Sequence, residues 1–182
     1  LTLYKSAYIA AEAEDTTFPI MIDSDSERLE LLKPFPAWDG KDFNDLPVLV
    51  KTLGKTTTDH ISPGGEWLKY RGHLTHISQN MLSGALNAFT GETGHGTDVL
   101  NGKKGVKFSE LAGIYQKNCG GFVIVGDENY GEGSSREHAA MSPRYLGAKA
   151  VITRSFARIH EANLKKQGIL PLTFSNLLDY DK

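Results

Sequence analysis

The sequence predicts an α/β protein whose central sheet is largely parallel. In its second half, short apolar runs bounded by glycine alternate with longer amphipathic stretches, a pattern typical of strands separated by helices. Strands in that order are joined by helical crossovers, so neighbouring strands run in the same direction. The composition, with 182 residues of which 40% are apolar and 23% charged, suits one well-packed core.

The first part of the chain predicts connecting segments rather than a core. Residues 7–14 have a helix-forming composition without a firm cap, and Pro19 ends any helix there. Residues 30–40 contain prolines that push the preceding residues out of helical conformation, which predicts an extended strap along a surface. We therefore predict a connecting segment at residues 1–45 and a compact domain at residues 46–182.

The first strand is predicted at residues 47–51, an apolar, β-branched run that is followed by Gly54. Residues 56–65 have no helical period and end in Pro-Gly-Gly, which predicts a loop at the exit of this strand. On generic turn preferences, Asp59 and His60 would be a turn cap and a surface imidazole. Loops on a rigid scaffold are, however, where functional residues gather.

Apolar residues that recur every four positions predict an amphipathic helix over residues 75–88. The repeating positions are Ile77, Met81, Ala85 and Phe89, with Leu82 and Leu86 beside them. We expect this stripe of methionine and aromatic residues to belong to the core. Residues 90–107 contain five glycines and two adjacent lysines, which predicts a mobile loop without regular structure.

The remaining elements alternate between helix and strand. They are a helix at 109–118 closed by Gly120 and Gly121, a strand at 122–125, a helix at 137–146, a strand at 150–153, a helix from Ser155 as its cap to Gly168 as its stop, and a strand at 169–174. This order is the basis of the predicted parallel sheet.

The stretch from Gly126 to His138 carries the strongest candidate site. It forms a glycine-rich turn between a buried strand and a helix, and it presents Ser134, Ser135 and Arg136. Glycines let backbone N–H groups approach a ligand, a helix start carries partial positive charge, and an arginine adds a planar fork. The turn therefore predicts binding of a carboxylate or a phosphate.

Two nucleotide-binding loops do not fit this stretch. Glu132 stands where a Walker A loop needs its lysine, and a dinucleotide fingerprint would need its third glycine where Arg136 stands. A structural role stays open, because Ser134-x-x-Glu137 is also a capping box. The spacing alone does not decide between a helix cap and a working serine, although the adjacent arginine favours a site.

The net charge of −2 argues against general attraction to nucleic acid or to membrane surfaces. An anionic ligand would therefore need a local site. The single cysteine, Cys119, excludes an internal disulfide and fits a reducing compartment. No apolar stretch approaches the ~20 residues of a membrane span. We expect an intracellular protein that contacts neither membrane nor nucleic acid.

Four ordered motifs resemble the swivelling C-terminal domain of the aconitases. They are Thr57–Pro63, Tyr70–Leu74, Gly126–His138, and the pair Ser155–Leu164 with Gly168–Leu172. The resemblance covers about residues 22–182 and is strongest to mitochondrial-type enzymes, while residues 1–21 match loosely and residues 90–118 depart from the pattern. It implies a three-layer β/β/α domain, whose second β layer follows only from the family.

The resemblance implies a hydro-lyase that interconverts citrate and isocitrate through cis-aconitate. In that family the serine matching Ser134 is the base that removes a proton, and the residues matching Ser135 and Arg136 bind the tricarboxylate substrate. The arginine matching Arg71 binds a substrate carboxylate, and the aspartate matching Asp59 lies in the active site near that arginine. The resemblance therefore implies Ser134 and Asp59 as catalytic residues.

The resemblance also implies parts that this chain does not contain. The family's [4Fe–4S] cluster is held by cysteines of preceding domains, so the chain alone is expected to be inactive. Its partners would be the cluster-bearing domains in cis or a large subunit in trans. We expect a fragment that stops before the end of the family pattern, from an enzyme of the mitochondrial matrix or the bacterial cytoplasm.

Other assignments stay open or are rejected. The small subunit of an isopropylmalate or homocitrate isomerase is the runner-up, and an anion- or RNA-binding module without turnover is the alternative from another class. His73-x-x-His76 lacks the third ligand that zinc requires, and the lone Cys119 cannot hold an iron–sulfur cluster. We predict no metal site in this chain, and we regard His60 as a weaker candidate than its neighbour Asp59.

Overall fold

A four-stranded parallel sheet forms the centre of the computed structural model, which describes residues 19–182. The strands are β1 (Val48–Lys51), β2 (His95–Gly96), β3 (Val106–Lys107), β4 (Phe122–Gly126), β5 (Ala148–Thr153) and β6 (Leu170–Thr173), and the helices are α1 (Thr58–Ile61), α2 (Leu74–Ile77), α3 (Phe108–Cys119), α4 (His138–Tyr145) and α5 (Arg158–Lys166). The sheet order is β1-β4-β5-β6 with all neighbours parallel, and β2 pairs with β3 in an antiparallel ribbon. The predicted α/β class with a parallel central sheet is confirmed. The helix predicted at residues 7–14 lies outside the described residues.

The three longer helices pack on the sheet and close the core. α3 contacts β1 and β4, α4 contacts β5, and α5 contacts β6. Fully buried side chains of the two layers meet between them, among them Leu111, Tyr115, Phe122, Ile124 and Leu164. Burial of each such side chain contributes about 1.5–3 kcal/mol. None of the helices within residues 19–182 is long and apolar enough to cross a membrane.

α3 and α5 end at the predicted glycines, but α5 does not begin at the predicted cap. Gly120 and Gly168 follow the two helices with φ of +75° and +73°, a conformation that glycine adopts without steric cost. The prediction that Ser155 caps α5 is wrong, because the cap position is Ala157. The Ser155 hydroxyl instead accepts a hydrogen bond of 2.8 Å from the N–H of Asn129. It therefore joins two loops rather than starting a helix.

The helix predicted over residues 75–88 is wrong beyond its first turns. α2 is followed by a 3-10 turn at Ser78–Asn80, and Leu82 then adopts φ of +58°. The N–H of Leu82 donates to the carbonyl of Ile61 at 2.8 Å, so the last residue of α1 replaces the helical acceptor. The core assignment is confirmed for Ile77, Met81, Leu82 and Ala85, which are at most 2% exposed. It is wrong for Phe89, which is 75% exposed.

Residues 90–107 hold more regular structure than their composition predicts. β2 and β3 pair within this stretch, and between them the N–H of Asp98 donates to the carbonyl of Lys103 at 2.8 Å. The hydroxyl of Tyr115 on α3 accepts from the N–H of Val99 at 3.0 Å. The prediction of a stretch without regular structure is therefore wrong, because backbone hydrogen bonds and one buried tyrosine hold this glycine-rich stretch in place.

A short helix, α1, interrupts the loop predicted at residues 56–65. The Thr57 hydroxyl accepts from the N–H of His60 at 3.3 Å, and the His60 Nδ1 accepts from the N–H of Thr57 at 3.1 Å. This reciprocal pair satisfies the first amides of the helix. The imidazole of His60 is therefore part of a helix cap.

The predicted surface strap is confirmed. The N–H of Glu30 donates to the carbonyl of Gly72 at 2.8 Å. Farther along, the Arg144 guanidinium lies 5.0 Å from the ring centroid of Phe35 and donates to the carbonyl of Pro36 at 3.3 Å. These contacts hold the extended segment against α2 and α4 without giving it a core of its own.

Candidate active site

The loops that follow β1, β4 and β5 meet at one edge of the sheet. These three strands are neighbours, and all of them run in the same direction. In open parallel sheets, ligands bind outside the carboxyl ends of the strands, because the connecting loops collect there. The glycine-rich loop after β4 lies between the other two and is therefore the centre of this edge.

Backbone hydrogen bonds fix the central loop on both sides. Four of them, each 2.7–2.9 Å long, join residues 130–132 to the neighbouring loops. They run from Thr58 N to Glu132 O, from Gly131 N to Thr56 O, from Tyr130 N to Ser155 O and from Ala157 N to Tyr130 O. The loop is thus held as a continuation of the parallel sheet, and the residues beyond it leave from a rigid base.

Gly131 is required where the loop crosses α5. Its φ is +81°, and a Cβ at this position would lie 2.2 Å from the Cγ and Cδ2 atoms of His160. Contacts that short do not occur between real atoms, so any larger residue displaces either the loop or the histidine. The glycine therefore brings the loop directly onto the first turn of α5.

Ser134, Ser135 and Arg136 line a cavity of about 350 Å³ between this loop and the start of α5. Both serine residues are exposed, whereas the side chain of Arg136 is 25% exposed. Within the described chain, the backbone N–H groups of residues 133–137 donate no hydrogen bond. The cavity lining thus includes two hydroxyl groups and a guanidinium, on a loop with free amide donors, which is a suitable set for a carboxylate.

Ser134 does not cap α4, so the capping box considered from the sequence is wrong. The helix begins at His138, and the position before it is Glu137, which makes no side-chain cap bond. The first turn instead closes through N–H bonds from Ala139 to the carbonyl of Arg136 and from Ala140 to that of Glu137. The Ser134 hydroxyl is therefore left exposed at the cavity.

Asp59 pairs with Arg136, although the two residues are far apart in sequence. The Asp59 Oδ1 accepts from Arg136 Nη1 in an ion pair, and the same Nη1 donates to the carbonyl of Ser62 at 3.1 Å. A Cβ on Gly64 would lie 3.3 Å from Arg136 Nη2, so the backbone packs closely against the guanidinium. One edge of the arginine is thus fixed, and its other donors remain for a ligand.

Arg71 lies beside this group but does not line the same cavity. It ends the 3-10 helix at Gly65–Tyr70, and its carbonyl accepts from the Nε2 of His138 at 3.0 Å. Within the described chain its guanidinium has no hydrogen-bond or ion-pair partner. Of the five predicted residues, the structure therefore brings Ser134, Ser135, Arg136 and Asp59 together and leaves Arg71 adjacent.

Three further residues contact this region, although the sequence did not predict them as site residues. His138 binds the backbone of Arg71, while Arg158 and His160 line the cavity from α5. His160 is 2% exposed, and burial lowers its pKa to about 4, which keeps the imidazole neutral. Burial also raises the pKa of the Tyr130 hydroxyl beside it. The histidine one turn into α5 was visible in the sequence, but only the fold shows which loop it underlies.

The donor set of this chain does not fit an iron–sulfur cluster. Within residues 19–182, no group of three or more His, Cys, Asp or Glu side chains could hold a metal ion. The single cysteine, Cys119, is half-buried on the C-terminal end of α3. The rings of His73 and His76 stack 3.8 Å apart beside Glu30 and backbone carbonyls. Cluster ligation needs several thiolates, which this sequence does not provide.

A protein-family model described as the aconitase C-terminal domain matches residues 46–177. The mitochondrial aconitate hydratase of Gracilaria gracilis is 58% identical over 169 residues, which are 93% of this chain and 22% of that protein. The mitochondrial aconitate hydratase of Saccharomyces cerevisiae is 54% identical over 179 residues, which are 98% of this chain and 23% of that protein. The chain therefore spans less than a quarter of the length of these relatives.

Among solved structures, the crystal structure of a 3-isopropylmalate dehydratase from Methanocaldococcus jannaschii aligns with a TM-score of 0.38 and 29% sequence identity. The alignment covers 63% of this chain and 53% of that chain.

Proposed function

The chain belongs to the aconitase C-terminal domain family, and we propose that it supplies the serine base and the carboxylate-binding arginines of an aconitate hydratase. That enzyme would interconvert citrate and isocitrate through cis-aconitate. The identity of 52–58% to mitochondrial aconitate hydratases over most of the chain supports this assignment. The activity belongs to a complete protein, of which this chain is one domain.

The observation that carries the proposal is the exposed Ser134 among free amide donors and a fixed guanidinium. The reaction removes a proton from a carbon next to a carboxylate, and Ser134 accepts this proton as an alkoxide. A serine hydroxyl is too weakly acidic to do so unaided, so the alkoxide requires stabilisation. The unpaired N–H groups of residues 133–137 and the charge of Arg136 offer it.

Arg136, Ser135 and Arg71 bind the carboxylates of the substrate. A guanidinium presents paired N–H donors that match the two oxygens of a carboxylate. Asp59 acts through Arg136, since its ion pair fixes the plane of that guanidinium while leaving the remaining donors free. Arg71, without a partner of its own in the described chain, takes a second carboxylate of the tricarboxylate. Holding two carboxylates orients the carbon that loses its proton towards the serine.

The [4Fe–4S] cluster of the complete enzyme is held by residues outside this chain, because the donor set here does not fit it. The partners of this domain are then the cluster-bearing domains in cis or a large subunit in trans. The names of the relatives, which are mitochondrial enzymes, support the mitochondrial matrix as the compartment.

Replacing Ser134 by alanine in the complete protein tests the base assignment. We expect kcat to fall by roughly 100- to 10,000-fold with a modest change in KM, because the group that takes the proton is lost. The melting temperature should stay close to that of the parent, since Ser134 caps no helix. Ser175→Ala, at an exposed serine that does not line the cavity, is the matched control and should change neither quantity. A destabilised but fully active Ser134→Ala protein would contradict the proposal.

Replacing Arg136 by lysine tests carboxylate binding separately. An ammonium group cannot reproduce the planar two-point contact, and it also weakens the pairing with Asp59. We expect KM for citrate and isocitrate to rise, with a smaller effect on kcat than that of Ser134→Ala. Steady-state kinetics in both directions measure this, and an unchanged KM would remove Arg136 from the substrate site.

A further inference from the structure

His138 connects the backbone of one arginine of the proposed site to the segment that carries the other. It is the first residue of α4, and its Nε2 lies 3.0 Å from the carbonyl oxygen of Arg71. A carbonyl oxygen only accepts, so Nε2 carries a hydrogen and donates it. The bond forms with a neutral or a charged ring, because Nε2 can carry hydrogen in both states.

The backbone of Arg71 is held from two sides. Its carbonyl closes the end of a 3-10 helix, where carbonyl groups lack partners within the helix. His138 satisfies this carbonyl, and the next one along the chain, that of Gly72, accepts from the N–H of Glu30 at 2.8 Å. The Arg71 guanidinium has no partner within the described chain. The range of positions that it can reach is therefore limited by the backbone from which it extends.

Arg136 lies two residues before His138 and is fixed independently. Its Nη1 binds Asp59 and the carbonyl of Ser62, which belong to the loop after β1. Within residues 19–182, the bond from His138 is the hydrogen bond that joins residues 65–73 to residues 131–138. A single imidazole thus bridges the segments that carry the two guanidinium groups.

We propose that His138 is a positioning residue that sets the distance between the guanidinium groups of Arg71 and Arg136. Through that distance it favours polycarboxylates that can contact both arginines at once. The inference rests on the proposed function, in which both arginines bind carboxylates of one substrate. A ligand gains from two forks only when their separation matches its own carboxylates, so freedom at Arg71 lowers the affinity for a ligand that contacts both arginines.

The test uses the complete protein with three variants. His138→Leu removes the donor, and His138→Gln restores an N–H near the former position of Nε2. The control is His95→Leu, which removes a ring whose Nδ1 lies 2.8 Å from the carbonyl of Thr93, outside the site. The measured quantities are KM, kcat, the melting temperature, and the inhibition constants of propane-1,2,3-tricarboxylate, which can contact both arginines, and of acetate, whose single carboxylate can contact only one.

We expect His138→Leu to raise KM and the tricarboxylate inhibition constant about tenfold, the effect of losing one well-placed contact. The acetate constant and kcat should change much less, while His138→Gln should restore most of the loss and His95→Leu should match the parent. A constant ratio between the two inhibitors, or equal defects in the Leu and Gln variants, would overturn the positioning role. If Ser134→Ala and Arg136→Lys also leave turnover and KM intact, the proposed function itself is wrong. If those two variants behave as expected, only the role proposed for His138 is wrong.

Discussion

His160 lies beneath the glycine-rich loop as a buried and neutral imidazole. Neither of its ring nitrogens has a hydrogen-bond partner within the described chain, and burial lowers its pKa to about 4. A charged ring there would lose its hydration without gaining an acceptor. A lower pH therefore destabilises this domain at a residue that contacts the loop of the proposed active site.

His160→Gln tests this sensitivity. Between pH 6.5 and about 4 the unfolded chain binds a proton at this histidine that the folded chain does not, so stability falls as the pH falls through this window. From pH 7 to pH 5 the histidine costs the parent about 2 kcal/mol of unfolding free energy. Glutamine has no such proton, so the variant should lose correspondingly less. Urea unfolding at the two pH values measures both, and equal losses in parent and variant would contradict the argument.

At the level of residues, the sequence predicts the kind of ligand better than it predicts which distant residues contact one another. The glycines, Ser134 and Arg136 predict an anion site by themselves, because they are contiguous in the chain. The pairing of Arg136 with Asp59 crosses 77 positions and follows from the sheet order. The bond from His138 to the Arg71 carbonyl has no sequence signal, since any residue offers that acceptor. Only the fold determines which backbone carbonyl a side chain such as His138 contacts.

Among the elements, the surface strap depends on one carboxylate. Glu30 accepts from the N–H of Thr75 at 2.8 Å and from its hydroxyl at 2.6 Å, at the start of α2. Burial opposes ionisation of Glu30, but these bonds and the nearby His73 and His76 outweigh it and lower its pKa. Its contribution is therefore complete above the usual carboxyl range and is lost as the pH falls through the lowered pKa.

Glu30→Gln should loosen the strap at neutral pH. The amide has one acceptor oxygen in place of two charged ones, so the bonds to Thr75 weaken. We expect amide hydrogen exchange at Glu30 and Thr75 to accelerate about tenfold, as one weakened charged hydrogen bond predicts. Glu27→Gln, whose carboxylate makes no hydrogen bond or ion pair in the described chain, is the control. Exchange that is equally fast in both variants would exclude the carboxylate as the anchor.

The elements that the sequence predicts well are those whose pattern and packing agree. α3 and β4 have apolar faces that meet the sheet core, and glycine marks the end of the helix. The helix expected at residues 75–88 failed because its four-residue period reflects burial alone. Leu82 is in the core, but its N–H donates to the carbonyl of Ile61 at the end of α1 rather than to the preceding turn. Periodicity cannot distinguish a helix from a buried chain with other backbone partners.

The whole molecule presents its proposed active site at an edge of the sheet rather than in its interior. The cavity lies between the glycine-rich loop and the start of α5, and its two serine residues are exposed. Such a surface suits a domain that completes a site with groups from elsewhere in the protein. The parallel order of the strands was predictable from their alternation with helices, whereas the position of the cavity against the start of α5 was not, because it depends on how the loops pack.

The chain produced alone should therefore show neither turnover nor cluster binding. Reconstitution with iron and sulfide should give no visible cluster absorption and no hydration of cis-aconitate, because the sequence offers one thiolate where a cluster needs several. Circular dichroism establishes that the chain is folded, and a Cys119→Ser variant should give the same spectrum as the parent. Cluster absorption together with turnover in the isolated chain would overturn the division of labour proposed here.

The contact of Gly131 with His160 also restricts how related sequences can diverge. A larger residue at 131 meets the imidazole at 2.2 Å, so it is tolerated only after position 160 has become small. The positive φ at 131 adds a backbone cost of about 1 kcal/mol for a non-glycine residue. Substitutions here must therefore occur in a fixed order, first at 160 and then at 131. In the reverse order, the intermediate sequence would have a displaced loop, and selection for activity would remove it.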